Sequence, residues 1–214
     1  MKTERLHGLY AITPDWADTQ RLLTVTEDVL ANGCRLLQFR NKTASQERRQ
    51  EQATALRALT RRFDALLIIN DDVDLAAFCA ADGVHLGEQD AALSAARDRL
   101  GPDKILGASC YQDPVLAGRA ARAGADYVAF GSFFTSPSKP QARRADPALL
   151  AAGGAQSGRP VCAIGGITAD NAQPLIRAGA DMVAVISALY AAADPGEAAR
   201  QFITLFAQTS EEHP

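Results

Sequence analysis

The segments RAGADYVAFG (residues 122–131) and RAGADMVAVIS (residues 177–187) follow one local pattern. In each, a helical pattern runs out at a glycine able to take the left-handed C′ conformation, and an apolar strand begins almost at once. ANGCR (31–35) and AADGV (80–84) repeat the idea. A helix that passes to a strand through so short a turn is the closing half of a βα unit, and more such units follow the same pattern along the chain. Apolar runs recur at GLYAIT (8–13), CRLLQFR (34–40), ALLIIND (65–71), GVHLG (83–87), ILGASC (105–110), YVAFG (127–131), VCAIGG (161–166) and MVAVIS (182–187). Helical patterns fall between them, over residues 18–32, 45–62, 74–81, 91–100, 114–123, 146–152, 170–178 and 195–208. Asp74, Asp146 and Asp170 read as N-caps, and Pro114 and Pro195 as first-turn prolines. Eight strand-helix units without a linker predict a (β/α)₈ TIM barrel and one domain over residues 1–214. The alternative is a three-layer α/β sheet, suggested by the short connection between the third and fourth strands.

The composition suits a globular protein and narrows the partners. Of 214 residues, 47% are hydrophobic and 22% charged, with a formal net charge of -3. That balance speaks against a nucleic-acid surface, so any anion must be held by local cations, backbone amides or a metal. The start, MKTERLHGLYAITPDW, lacks the apolar core of a signal peptide, and no run reaches a membrane span, so a cytoplasmic protein with no membrane partner is expected. Cys34, Cys79, Cys110 and Cys162 lack metal-binding spacing and read as small buried hydrophobes. None of the three histidines is expected to bind metal; His85 alternates with Val84 and Leu86 in a strand. A homo-oligomer is left open.

Barrel chemistry sits at the C-terminal ends of the strands, which makes the strand exits the place to look. Gln38, Arg40 and Lys42 are spaced by two and share one side of an extended segment. A phosphate or pyrophosphate would explain the two cations, and the alternative is pairing with carboxylates of the third and fourth strands. Asn70, Asp71 and Asp72 follow the third strand, and Glu88, Gln89 and Asp90 the fourth. Asp71 and Asp90 could converge on Mg²⁺, which takes one or two carboxylates and completes its octahedron with water and substrate oxygens. Asp72 or Glu88 could contribute instead, and the plainer role of Asp71 and Asp72 is to start a helix. Ser109 ends the fifth strand. Gly165 and Gly166 after the seventh strand, with Ser187 after the eighth, suit a phosphate cup. The loop AFGSFFTSPSKP (129–140) packs Thr135, Ser136, Ser138 and Lys139 beyond the sixth strand. It is either a grip on an anionic group or a plain surface turn.

YAITP, LQFRNK, IINDDVDLA, DGVHLGEQD, GAS, YVAFGSFFTSPSKP, AIGGI and VAVIS occur in that order between Leu9 and Ser187. As a set they resemble the thiamine phosphate synthase family. The resemblance implies a barrel transferase that joins 4-amino-5-hydroxymethyl-2-methylpyrimidine diphosphate to hydroxyethylthiazole phosphate with Mg²⁺, releasing pyrophosphate. It implies that Gln38, Arg40, Lys42 and Asn70 bind the pyrimidine diphosphate, and that Asp71 and Asp90 hold Mg²⁺. It places Ser109 by the pyrimidine and diphosphate, Ser136, Ser138 and Lys139 in a loop over the substrates, and Gly166, Ile186 and Ser187 on the thiazole phosphate. Catalysis then falls to Arg40, Lys42, Ser109 and Lys139 around a dissociative, carbocation-like step. The chain departs from the family in Ser136 and Ser138, where threonines are usual, in the order Glu88-Gln89, and in Tyr111, where a histidine is common. The rival readings are a thiazole phosphate tautomerase and a non-catalytic phosphometabolite sensor on the same fold.

Overall fold

The eight apolar runs become the strands of a closed parallel barrel in the computed structural model, which describes residues 2–87, 90–135 and 144–212. The strands are β1 (Gly8–Ile12), β2 (Leu36–Phe39), β3 (Leu66–Asn70), β4 (Gly83–Leu86), β5 (Ile105–Tyr111), β6 (Tyr127–Gly131), β7 (Val161–Ile164) and β8 (Met182–Val185). Each pairs with the next, and β8 closes onto β1 through Gly8 to Val185 neighbours such as Tyr10 opposite Ala184. The helices are α1 (Thr19–Ala31), α2 (Gln46–Arg62), α3 (Val73–Phe78), α4 (Asp90–Leu100), α5 (Pro114–Arg122), α6 (Ala148–Ser157), α7 (Ala169–Arg177), α8 (Ser187–Tyr190) and α9 (Pro195–Glu212). The open three-layer sheet is thereby excluded: the strand order closes on itself.

Alternation along each strand divides two cores. Leu9, Ala11, Leu37, Phe39, Leu67, Ile69, Val84 and Leu106 point outward against the helices. Tyr10, Ile12, Leu36, Leu66, Ile68, Ile105, Tyr127 and Met182 fill the barrel itself. Glycine is needed where that filling is tight. A Cβ on Gly107 would lie 2.1 Å from Cζ of Tyr127, so only glycine leaves room for that ring. On Gly83 it would lie 2.1 Å from the Ile105 carbonyl oxygen.

The expected helix ends hold in three of the four quoted turns: Gly33, Gly124 and Gly179 have φ of 103°, 99° and 100°. AADGV differs, because the left-handed residue there is Ala80, with φ of 51°, and Gly83 already belongs to β4. Two caps also move. Asp72, not Asp74, accepts from Leu75 N and starts α3. Thr168, not Asp170, is the N-cap of α7, where Asn171 Oδ1 accepts from Thr168 N at 2.8 Å. Asp146 lies one residue before the N-cap position, Pro147, but still accepts from Ala148 N. The short α8 was not expected from the sequence.

On the N-terminal face the aspartates of ADG, GADY and GADM repeat one contact. Asp82, Asp126 and Asp181 each precede a strand, and each donates its N–H to a carbonyl of the strand before, that of Leu67, Leu106 or Val161. The carboxylate then accepts from the N–H of the same residue, at 2.8, 2.9 and 2.7 Å. Arg57 grips Asp82 with two nitrogens. Arg97 holds Asp126 at 2.8 Å and also donates to the carbonyls of Gly101, Lys104 and Gly124. These brackets tie β3 to β4, β5 to β6 and β7 to β8 on the face away from the chemistry.

Candidate active site at the C-terminal rim

β2 stops at Phe39, so Gln38, Arg40 and Lys42 do not continue as one extended row. Gln38 is buried inside the barrel, while Arg40 and Lys42 stand on the loop beyond it. Thr13, fully buried, anchors that loop: its N–H donates to the Gln38 carbonyl, and its hydroxyl bonds both the N–H and the carbonyl of Arg40. Asn41 is also buried and fixes the next turn by donating to Trp16 O and Gln52 Oε1 while accepting from Ala44 N. Arg40 faces Asp15 of the β1–α1 loop, with Nη1 at 3.0 and 2.9 Å from its two oxygens. That partner differs from the expected carboxylates of the third and fourth strands. Asp15 also accepts from Lys42 N at 2.7 Å, and nothing in its spacing singled it out beforehand. Lys42 Nζ meets the expected strand-3 carboxylate, 3.5 Å from Asp71 Oδ2.

Asp71 leaves β3 in the left-handed region, with φ of 62°. A non-glycine residue is held there only by its surroundings, here by a 2.8 Å hydrogen bond from Asp71 N to the His85 carbonyl. Asn70 Nδ2 donates to Asp71 Oδ2 at 2.8 Å, so one carboxylate oxygen faces both an amide and an ammonium. Asp72 turns away to cap α3 and to meet Arg49 at 3.5 Å, which realises its plainer role as a helix start. Asp90 is the first residue of α4 on the neighbouring unit. Glu88 and Gln89 lie outside the described residues. An open cleft of about 630 Å³ is lined by Lys42, Arg49, Asn70, Asp71 and Asp72.

A chain of hydrogen bonds crosses the barrel interior beneath this rim. Gln38 Nε2 donates to the Tyr10 hydroxyl at 2.9 Å, and Tyr10 Oη lies 2.8 Å from Tyr127 Oη. Tyr127 Oη is 2.8 Å from His85 Nδ1, and His85 Nε2 is 2.9 Å from Ser109 Oγ. Burial lowers the His85 pKa from 6.5 to about 4, against a smaller opposing pull from Asp71, so the ring is neutral near pH 7. Burial pushes the Tyr10 and Tyr127 phenols up, which keeps both protonated. Gln38 and Ser109 were expected at the site, but Tyr10, Tyr127 and the placement of His85 were missed. The available signal was parity: Tyr10, Gln38, His85, Ser109 and Tyr127 all occupy inward-facing strand positions. Directly after Ser109 the β5–β6 register shifts, with Tyr111 at φ of 50°.

At the β7 exit, Gly165 and Gly166 have φ of 108° and 64°. The space their Cβ atoms would take is filled by chain: Ser132 Oγ lies 2.0 Å from the Gly165 position and Thr135 O 2.4 Å from the Gly166 position. The glycines are therefore required by the stem of the β6–α6 loop. This steric demand adds to the phosphate cup expected there, whose donors are backbone N–H groups. Phe133 N and Phe134 N continue the pairing by donating to Ile164 O and Gly165 O. Ser136, Ser138 and Lys139 lie outside the described residues. Ile186 is the N-cap residue of α8 and Ser187 its first residue, at the exit of β8, the strand paired with β7. Among the described residues no group of three or more His, Cys, Asp or Glu side chains could hold a metal. A hard dication needs fewer from the protein when substrate oxygens complete its shell.

Residues 9–189 match the family model described as thiamine monophosphate synthase. A thiamine-phosphate synthase of Methylobacillus flagellatus is 59% identical over 201 residues, covering 94% of this chain and 96% of the relative. One from Janthinobacterium sp. is 51% identical over 203 residues, covering 95% and 98%. Among solved structures, a thiamine phosphate pyrophosphorylase from Pyrococcus furiosus superposes with a TM-score of 0.84 at 34% identity, covering 95% of this chain and 97% of that one.

Proposed function

The chain belongs to the thiamine monophosphate synthase family, and from that premise we propose how its rim performs the reaction. It is a transferase that forms thiamine phosphate and releases pyrophosphate. The observation that carries the residue assignment is the meeting of Lys42, Asn70 and Asp71 at adjacent strand exits. Lys42 Nζ lies 3.5 Å and Asn70 Nδ2 2.8 Å from the same Asp71 oxygen, with Arg40 two residues before Lys42 on the same loop and Gln38 and Ser109 on the wall below. Such a set has the donors for a diphosphate and a hard oxygen for a cation.

Asp71 fits Mg²⁺ by its chemistry, since its half-exposed carboxylate faces the cleft mouth from a backbone conformation that its neighbours enforce. Asp90, at the start of the helix after the next strand, is the second proposed ligand. When bound, Mg²⁺ supplies positive charge to the departing pyrophosphate. Arg40 and Lys42 bind the diphosphate, Arg40 exchanging its Asp15 partner for phosphate oxygens. Gln38, Asn70 and Ser109 orient the pyrimidine. Lys139, with Ser136 and Ser138, closes over the leaving group and keeps water from the cationic carbon. The Gly166 N–H, the Ile186 backbone and Ser187 hold the thiazole phosphate in line for attack by its nitrogen. No side-chain nucleophile is required, because loss of pyrophosphate from an aminopyrimidine methylene leaves a cation that the amino group stabilises. Positioning and fixed charge supply the acceleration.

This reading treats residues 1–214 as one barrel domain working on small molecules in the cytoplasm. The four cysteines, all buried and none in a disulfide, suit a reducing compartment, and no described helix is long and apolar enough to cross a membrane. The test is pyrophosphate release with both substrates, with and without chelator, alongside mass detection of thiamine phosphate. Release coupled to product and abolished by chelator is expected. Tight thiazole phosphate binding with no metal-dependent release would overturn the mechanism in favour of a sensor.

A further inference from the structure

Tyr10, Tyr127 and His85 have no place in the mechanism above, yet they join two of its residues through the barrel. The hydrogen count along the chain decides what they do. Tyr10, Tyr127, Ser109 and a neutral His85 bring four hydrogens to the three links among them, which leaves one over. Gln38 Nε2 donates to Tyr10 Oη, so the Tyr10 hydrogen must go to Tyr127 or stand unpaired in the core, which is costly. Given to Tyr127, it obliges the Tyr127 hydroxyl to donate to His85 Nδ1. His85 then carries its hydrogen on Nε2 and donates to Ser109 Oγ, 2.9 Å away. The hydrogen left over is that of Ser109, at the half-buried end of the chain.

We propose that Tyr10, Tyr127 and His85 are positioning residues forming a one-way hydrogen-bond relay that sets the Ser109 hydroxyl as a donor to the ligand. The sense is set by the Gln38 carboxamide. With its nitrogen on Tyr10, its oxygen remains to accept from a ligand, and Ser109 donates. With the amide turned over, every bond reverses, His85 carries its hydrogen on Nδ1, and Ser109 can only accept. The two ends therefore always present opposite polarity. That suits a heteroaromatic ring whose edge pairs an amino donor with a ring-nitrogen acceptor. The proposal rests on the assignment of Gln38 and Ser109 to the pyrimidine. The ring contacts support a fixed geometry: Tyr127 stacks on His85 at 5.5 Å between centroids and meets Tyr10 edge-on at 6.0 Å. Gly107 leaves the space Tyr127 occupies.

The relay is tested first in the free protein, by two-bond proton–nitrogen NMR of the histidine rings at neutral pH, with His85→Gln assigning the His85 signals. The expected spectrum has His85 protonated on Nε2 and bare on Nδ1. In Tyr127→Phe that tautomer preference is lost, and the KM for the pyrimidine diphosphate rises roughly tenfold, the worth of about one hydrogen bond. The KM for thiazole phosphate stays at its wild-type value. If Tyr127→Phe does not fold, Tyr10→Phe serves, since it removes the bonds to Gln38 and Tyr127 while leaving Tyr127, His85 and Ser109 joined, and lowers the Nε2-protonated fraction. A His85 protonated on Nδ1 in the free wild type, a tautomer unmoved in Tyr127→Phe, or an equal rise in both KM values would overturn the relay. A wild type that makes no thiamine phosphate would defeat the proposed function instead, and the free-protein spectrum would still decide the relay.

Discussion

Replacing Asp71 by asparagine removes the charge proposed to hold the metal while changing little else. Asparagine tolerates the left-handed region that Asp71 occupies at φ of 62°, whereas Asp71→Ala adds roughly 1–2 kcal/mol of backbone cost. The folded protein should scarcely notice the asparagine. Lys42 Nζ is 3.5 Å from the carboxylate, which at an effective dielectric of ~20 corresponds to about 5 kcal/mol of bare Coulomb energy. Both side chains are 56% exposed, and solvent screening reduces the pair to less than about 1 kcal/mol. The transition state should lose much more. If the carboxylate anchors the cation that neutralises departing pyrophosphate, the barrier rises on the order of 3 kcal/mol, about a hundredfold in rate. Urea unfolding of Asp71→Asn should thus fall within about 1 kcal/mol of wild type, while pyrophosphate release at limiting Mg²⁺ drops about a hundredfold and recovers in part as Mg²⁺ is raised. Near-normal turnover at limiting Mg²⁺ would refute the metal role. A large stability loss would refute the claim that the pair is screened.

Three further outcomes are expected. The His85 pKa is lowered by burial from 6.5 to about 4, so between those values the unfolded chain takes a proton that the folded one refuses. Stability should therefore fall by up to about 3 kcal/mol as pH drops from 6.5 to 4. Urea melts of His85→Gln should lack that part of the slope, and parallel pH profiles would contradict it. Gly107→Ala drives a methyl into the Tyr127 ring and should cost about 1–3 kcal/mol or more by the same melts, so an unchanged midpoint would mean the ring has room to move. Asp126→Ala leaves the Arg97 guanidinium and the Leu106 N–H without their carboxylate and should cost about 3 kcal/mol. Its kcat should be unaltered at temperatures where it stays folded, because the bracket lies on the opposite face from the chemistry.

The barrel was legible because its signals are local: apolar runs, helix-ending glycines and first-turn prolines each act over a few residues. The rim was legible for a related reason, since a polar residue at a strand end stands out against the Val, Ile and Leu before it. Asp71 stands out this way, and so do Gln38 and Ser109. What escaped depends on contacts across the barrel. Tyr10 and Tyr127 are 117 positions apart, and nothing in either neighbourhood announces the other. Asp15 reads as an ordinary loop acid until folding sets it against Arg40. The caps of α3 and α7 shifted because several candidate residues stand together in DDVD and TADN, and backbone direction, not residue type, chose among them. At Gly165 and Gly166 the sequence could not show the steric reason for glycine, as the atoms that exclude a side chain there belong to the neighbouring loop.

The aspartate brackets on the far face group the strands in twos: β3 with β4, β5 with β6, β7 with β8. β1 and β2 are joined at the other end by Thr13. The barrel wall is in this sense assembled from four staves rather than eight, each already fastened within itself. A chain severed in the turn after α4 parts between staves and keeps each aspartate on the same fragment as the strand N–H it accepts from, although it separates Arg97 from Asp126. One severed within α5 leaves Asp126 and Leu106 on different pieces. Fragments from the first cut should reunite into working enzyme on mixing far better than fragments from the second, although the two cuts lie little more than one helix apart.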